Sequence, residues 1–322
     1  MSVLQPGPRT SIIRYMVRTA TGYWVLGLVA LVSLGSAHAS DWKTAEVTIF
    51  FTGLVQGNYG PCGCNTDPSG GFSKRSAYAQ QYAAVNHSAI IHVDAGGILM
   101  PRGPRAAHVN PEMLNAIRDL PVSVVNLSPH DLFLWDDVAA SDLGERFISA
   151  NLAPLDPQRP TPPRYRIIEA FEGKEAVRIG FLGISDPRKV KPNSGFRGVS
   201  PARAVQEVKT EVLKKADFLV VLADIPQRPE ESTLDQLARD HPEIIAILTT
   251  EDVYRLHEPR VVNNAVILSS VQQGRYLGQL RLVIDESGKV QDVTPDFIQL
   301  GQEQAEDERF LQIQKSLAPY LD

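Results

Sequence analysis

Cysteine is almost absent: Cys62 and Cys64 are the two thiols of a 322-residue chain. Two thiols cannot build a disulfide scaffold or a four-cysteine zinc site. Their one-residue spacing also excludes heme attachment, which needs Cys-Xaa-Xaa-Cys-His. Basic runs are missing too. Lys and Arg number 32 against 37 Asp and Glu, giving a formal charge of −5. Without a basic block interleaved with aromatics, nucleic acid is not an expected partner. No apolar run reaches the roughly 20 residues of a membrane-spanning helix. Internal repeats and low-complexity tracts are also lacking, so a solenoid is not expected. At this length a core can form without disulfide staples.

The N-terminus carries a targeting pattern. Arg9, Arg14 and Arg18 form a positive region, Tyr23 to Leu34 a short apolar core, and "AHA" (Ala37–Ala39) a small-x-small cleavage site before Ser40. Residues 1–39 are therefore expected to be a signal peptide, with a retained anchor as the other reading. No membrane span is expected after cleavage. The mature chain, from residue 40, is expected in a periplasmic or secreted location, where thiols can be oxidised.

Short apolar, β-branched runs recur at 46–53, 89–97, 122–128, 147–152, 164–171, 177–185, 217–224, 243–250, 265–270 and 278–285. Several are almost continuously apolar, as strands buried on both faces are. Helical stretches separate them at 73–85, 110–120, 200–216 and 232–241, with a terminal one at 303–318. Asn110-Pro111 and Ser200-Pro201 read as N-cap followed by proline at the first helical position. Alternating strands and helices predict an α/β fold with a mostly parallel sheet, and the strand-rich tail from Val266 predicts a more antiparallel edge. The proline-rich stretch 153–164 is a surface connection, and 40–322 reads as a single domain.

In open α/β sheets, functional groups collect beyond the carboxyl ends of the strands. Those ends carry Gln56, Asn58, Cys62 and Cys64, then Asp94 and Gly97, His130 and Asp131, Asp224, and Glu251 with Asp252. One rim thus gathers two thiols, an imidazole and several carboxylates. Gly70-Gly71, with Lys74 or Arg75, can be read as an anion cradle or as a plain turn. His92, in mid-strand, reads as a core histidine, and His241 as a solvated one.

The ordered motifs "TGLVQG" (52–57), "VDAGG" (93–97), "LSPHD" (127–131), "SANL" (149–152), "RIGFLGIS" (178–185), "VVLADI" (220–225), "AILTTED" (246–252) and "GRYLGQLRL" (274–282) resemble the calcineurin-like metallophosphatase superfamily, in its periplasmic 5′-nucleotidase branch. The resemblance covers nearly all of the mature chain. It implies a four-layer α-β-β-α sandwich of two mixed sheets, here without the nucleotidases' separate C-terminal domain.

Carried over residue by residue, the resemblance puts the family's metal-ligand positions on Leu54, Gln56, Gly97, Pro129, Asp224, Thr250 and Asp252. His130 falls where the family has its catalytic acid. Leu, Gly and Pro side chains cannot ligate, and no Asp-Xaa-His or His-Xaa-His occurs nearby. The dinuclear site, whose two ions would sit about 3.5–4 Å apart, is therefore expected to be absent.

"PCGC…PSGGFSKRSA" also resembles a metallophosphatase-like subgroup with a Cys-Gly-Cys loop, some of whose members replace one cysteine by selenocysteine. Three readings of Cys62-Gly63-Cys64 stay open. One is a reversible disulfide, labile because its ring is tight. Another is a metal site, in which Cys62, Cys64 and His130, with Asp224 beside them, would hold zinc or copper. The last is a pair that merely pins the loop.

The leading reading is a metallophosphatase-fold protein outside the cytoplasm that has lost its metals. Thiol-disulfide chemistry would run through Cys62 and Cys64 near His130, with a redox partner protein and no cofactor. The alternatives are a phosphoesterase with a rebuilt zinc, copper or manganese site and a non-catalytic binding subunit. N-terminal sequencing of the extracytoplasmic protein should begin at Ser40; a chain retaining Met1 in the membrane fraction would establish the anchor instead.

Overall fold

The apolar runs become strands whose side chains are buried on both faces. The computed structural model describes residues 44–61, 68–86, 88–120, 122–171, 176–226, 233–251, 258–285 and 287–321. Residues 1–43, which include the expected signal peptide, and both cysteines lie outside the described residues.

The strands are β1 (Thr44–Thr52), β2 (Ala89–Asp94), β3 (Val122–Asn126), β4 (Phe147–Ile148), β5 (Leu152–Pro154), β6 (Tyr165–Glu169), β7 (Arg178–Ser185), β8 (Phe196–Gly198), β9 (Phe218–Asp224), β10 (Ile244–Glu251), β11 (Arg260–Val262), β12 (Ala265–Val271), β13 (Tyr276–Asp285) and β14 (Val290–Gln299). The helices are α1 (Phe72–Asn86), α2 (Ala106–Asp119), α3 (Trp135–Ala139), α4 (Pro201–Leu213), α5 (Thr233–Asp240) and α6 (Glu308–Leu321).

Two six-stranded sheets result, in the orders β14-β13-β1-β2-β3-β4 and β11-β12-β10-β9-β7-β6. Both are mixed. β1 to β4 run parallel, as do β7, β9, β10 and β12. The edge pairings β13/β14, β6/β7 and β11/β12 are antiparallel, and so is β1/β13. Period-two alternation then sorts the side chains. Val47, Ile49 and Phe51 of β1 and Ile91 and Val93 of β2 face the other sheet, where they meet Ile179, Phe181, Val220 and Leu248. Phe50 faces outward, against Ala79 of α1. Helices α1, α2 and α6 cover the first sheet, and α4 and α5 the second. This is the four-layer sandwich expected from the sequence.

Two expected helix boundaries move, for local reasons. α2 begins at Ala106, four residues before Asn110, and takes Pro111 inside it. Asn110 does not cap; its side chain bridges Met100, accepting from the Met100 N–H and donating to the Met100 carbonyl. α6 begins later than expected because Asp307 caps it, accepting from the Arg309 N–H. The same carboxylate receives Ser76 and Gln80 of α1, which ties the two helices.

The sheets are joined at their carboxyl rim by two buried asparagines. Asn126, at the end of β3, donates to the Ala95 carbonyl at 2.9 Å and the Ile184 carbonyl at 2.8 Å. Asn151 donates to the carbonyls of Ser185 and Val199 and accepts from the Ser185 N–H. Backbone groups removed from water must be paired, and here side chains from the first sheet's strand ends meet the second sheet's. Asn151→Ala strands all three groups and should cost about 3 kcal/mol. Urea denaturation should show this as a lower midpoint with an unchanged slope.

Candidate functional site

The loops after β1 and β2 run side by side. The N–H groups of Leu54, Gln56 and Gly57 donate to the carbonyls of Gly96, Gly97 and Ile98. To do so, Leu54 and Gln56 adopt left-handed backbone, φ 47° and 53°. For a leucine this is an uncommon and strained conformation. It turns the Leu54 side chain inward, 2% exposed, against Gly97. A Cβ built on Gly97 would lie 2.7 Å from Leu54 Cδ2. Two positions that the resemblance assigns to metal ligands are thus neighbours, one carrying a leucine and the other no side chain.

Three carboxylates lie buried nearby. Asp94 accepts from the Thr52 hydroxyl at 2.7 Å and the Gly96 N–H at 2.8 Å. Burial raises its pKa, opposed by those bonds and by Arg75. Asp131 accepts from the N–H groups of Gly97 and Leu99, at 2.9 and 3.0 Å. Burial, with Asp94 and Asp224 adding to it, pushes its pKa up to about 7 against those two bonds. Asp224 is fully buried; its Oδ1 receives Lys189 Nζ at 2.9 Å and the Thr250 hydroxyl at 3.0 Å, while Oδ2 has no partner.

His130 lines a cavity beside this cluster, with no hydrogen bond to its ring from the described residues. Burial lowers its pKa, Asp224 opposes that, and Lys189 and Lys191 lower it further. Asp224 therefore acts on His130 through its charge, without a hydrogen bond between them among the described residues. Cys62, Cys64 and Asp252 lie outside the described residues. The flanking residues do locate the ends of the cysteine loop: Tyr59 is buried, its carbonyl accepts from the Phe72 N–H, and a Cβ on Gly71 would meet Pro61.

Gly70 and Gly71 make a turn, with φ 91° and 94°. The Gly70 N–H is taken by the Leu300 carbonyl, and Lys74 donates to the Gly301 carbonyl. Arg75 points inward and donates to Thr52 Oγ1 at 2.9 Å. Burial pushes the Arg75 pKa down to about 10, with Asp94 opposing. Of the two readings the turn holds: the Gly70 N–H, Lys74 and Arg75 are each engaged with the chain's own acceptors. His92 is a core histidine as expected, packed at 5.6 Å from the Phe50 ring. His241 is buried as well, at the end of α5, not solvated.

Among the described residues the donor set does not fit a dinuclear centre. Among the described residues no group of three or more His, Cys, Asp and Glu side chains is arranged to hold an ion. Leu54 fills the space beside Gly97, and Asp224 already carries an ammonium partner.

Comparison with solved structures fits this architecture. A 5′-nucleotidase precursor from Thermus thermophilus superposes with a TM-score of 0.67 at 16% identity, over 85% of this chain and 58% of that one. A calcineurin-like phosphoesterase, YfkN from Bacillus subtilis, gives 0.69 at 15% identity, over 86% and 99%. The fold is the metallophosphatase fold of the 5′-nucleotidases. The sulfate thiohydrolase SoxB of Thermus thermophilus shares it, with a TM-score of 0.68 at 16% identity over 85% and 61%. The chain spans less than two thirds of the nucleotidase and thiohydrolase chains. No family model and no curated protein matches the sequence.

Within this metallophosphatase fold, Lys189 is the counter-ion of a buried carboxylate. The sequence reading missed it, because 35 residues separate it from Asp224. Lys189→Met keeps the stem but removes the charge, and should cost about 3 kcal/mol by stranding a buried anion. Adding Asp224→Asn should recover much of that loss. Urea midpoints of the two single variants and the double variant check this; a stable Lys189→Met protein would show that Asp224 does not depend on it.

Proposed function

We propose an extracytoplasmic protein of metallophosphatase fold that does not hydrolyse phosphate esters through a dinuclear centre, and whose chemistry is thiol-disulfide exchange at Cys62 and Cys64. The observation that carries the first half is Leu54 packed into the space beside Gly97 while Lys189 neutralises Asp224. A Lewis-acid pair needs side-chain donors at those positions, and a leucine and a glycine supply none.

The second half rests on the sequence and on where the loop is anchored. Cys62-Gly63-Cys64 directly follows the segment that holds Leu54 and Gln56. The described residues on either side pack at the carboxyl rim and against the start of α1. A helix N-terminus or a nearby cation lowers a thiol pKa and raises the thiolate fraction. In the exchange, one thiolate attacks the disulfide of a partner protein and the second resolves the mixed disulfide. The chain ends with a Cys62–Cys64 bond and the partner with two thiols, so two electrons and two protons move to the partner. That a sulfate thiohydrolase has the same fold supports the view that the scaffold is not tied to phosphate esters.

Metal analysis, thiol titration and turnover assays on the mature protein test both halves. Little bound metal is expected, with no turnover of AMP or p-nitrophenyl phosphate, with or without manganese or zinc. Two titratable thiols should be lost on mild oxidation and regained on mild reduction. Cys62→Ser and Cys64→Ser should each abolish this cycling at little cost in stability, since no long loop is closed. Two stoichiometric metals with metal-dependent ester hydrolysis would establish the phosphoesterase reading. Thiols released from bound metal only by a chelator would establish a Cys62/Cys64/His130 metal site.

A further inference from the structure

The carboxyl rim carries a second feature, independent of the thiols. Loops after β2, β3, β5 and β7 enclose a cavity of about 300 Å³, at the small end of ligand pockets of roughly 300–1,000 Å³. Its walls include Arg102, His130, Arg159, Lys189, Lys191 and Asn193, and no carboxylate. Four cations on one small concave wall repel each other unless something offsets them.

Two are already offset. Lys189 pairs with Asp224, and Arg159 with Asp136 at 2.7 Å. Arg159 also donates to the Ser194 carbonyl and lies over the Phe196 ring, so it is fixed in place. The other two have no acidic partner among the described residues. Arg102 lies over the Phe133 ring at 5.5 Å, a contact that positions the guanidinium without neutralising it. Lys191 is exposed and makes no ion pair. Two positive charges therefore remain beside the unbonded His130 ring. A larger cavity, of about 550 Å³, opens between the Asp186 loop and helices α4 and α5. Its arginine, Arg188, is paired with Asp186, so its wall carries no such excess.

We propose that this cavity binds a small organic dianion, held by Arg102 and Lys191, with His130 and Asn193 as further hydrogen-bonding groups. Two excess positive charges match two negative ones. A guanidinium takes a carboxylate or phosphoryl group in bidentate fashion, whereas an ammonium acts as a point charge. The Phe133 ring and Leu132 offer apolar wall to the carbon skeleton between the charged ends. The proposal does not rest on the thiol chemistry above, since none of these residues belongs to the cysteine loop.

Calorimetric titration of the mature protein at low ionic strength tests this, with succinate and glycerol 3-phosphate as probes and acetate as the monoanionic control. At least one dianion should bind more tightly than acetate at matched ionic strength, and should weaken as salt screens the contact. The better of the two tells carboxylate from phosphoryl recognition. Arg102→Ala and Lys191→Ala should each weaken binding, and together by about tenfold or more, each charge-assisted contact being a strong one. Both residues are exposed, so circular dichroism should confirm an unchanged fold, and Lys191→Arg should retain most of the affinity. Binding no tighter than acetate for both probes, or equal binding by the double alanine variant, would overturn the proposal.

Discussion

Three buried carboxylates at one rim set the constraint that the site must satisfy. An ionised carboxylate removed from water needs a compensating charge or a full set of donors, or else it takes up a proton. Each of the three meets that demand differently. Asp224 takes an ammonium and a hydroxyl. Asp94 takes a hydroxyl and a backbone N–H, with Arg75 reaching it through Thr52. Asp131 has three backbone N–H groups, those of Gly97, Leu99 and, at 3.4 Å, Ser128, and no cation among the described residues, and it is the one whose pKa burial pushes up to about 7. The loop geometry follows from this. Gly97 and Leu99 present their N–H groups to Asp131, while the Gly96 and Gly97 carbonyls hold Leu54 and Gln56 in left-handed backbone.

In this arrangement two side-chain cations of the chain stand among the buried carboxylates. Lys189 and Arg75 are covalent and monovalent, and they are engaged with their own acceptors. They can balance a carboxylate and hold a loop, but they offer no open coordination position at which a water could be activated. Oδ2 of Asp224 and two nitrogens of Arg75 remain without partners, so the balance is electrostatic and not a complete hydrogen-bond network. Such a network is held by its surroundings, here the two asparagines that fix the strand ends.

Much of the fold was legible in the sequence because buried strands leave continuous apolar runs, as in "FLVVLAD" of β9 and "AVILSSV" of β12. β14 left no such run. It is an edge strand with alternating exposure that tolerates Pro295, and an edge position asks for neither apolar continuity nor every N–H. Asn110 was misread because an asparagine before a proline fits a cap and also fits a side-chain bridge to a distant loop, and the sequence alone does not distinguish them. The site was legible in its ends and not in its balance. Asp94, His130, Asp131 and Asp224 follow strands and could be read off. Lys189, Lys191, Arg102 and Arg159 sit in three separate loops, where a lone cation reads as solvated. Arg75 was noticed, but its direction was not, since a helix face is fixed only once the helix is docked.

The unpaired cations and the carboxylate cluster are linked through Lys189, which belongs to both. Its ammonium bonds Asp224 on one side, and the same residue lines the cavity on the other. An anion entering the cavity would compete with Asp224 for the field of Lys189, and a strong local anion would also stabilise a proton on His130, whose pKa burial and the two lysines hold low. The chain's own carboxylate and an external dianion thus act on one ammonium and one imidazole. Because Asp224 is buried and fixed at the end of β9, it cannot follow Lys189 outward. The ammonium therefore has to stay bridged between the two, and a bound dianion must draw most of its stabilisation from Arg102 and Lys191, whose charges no side chain in the wall already claims.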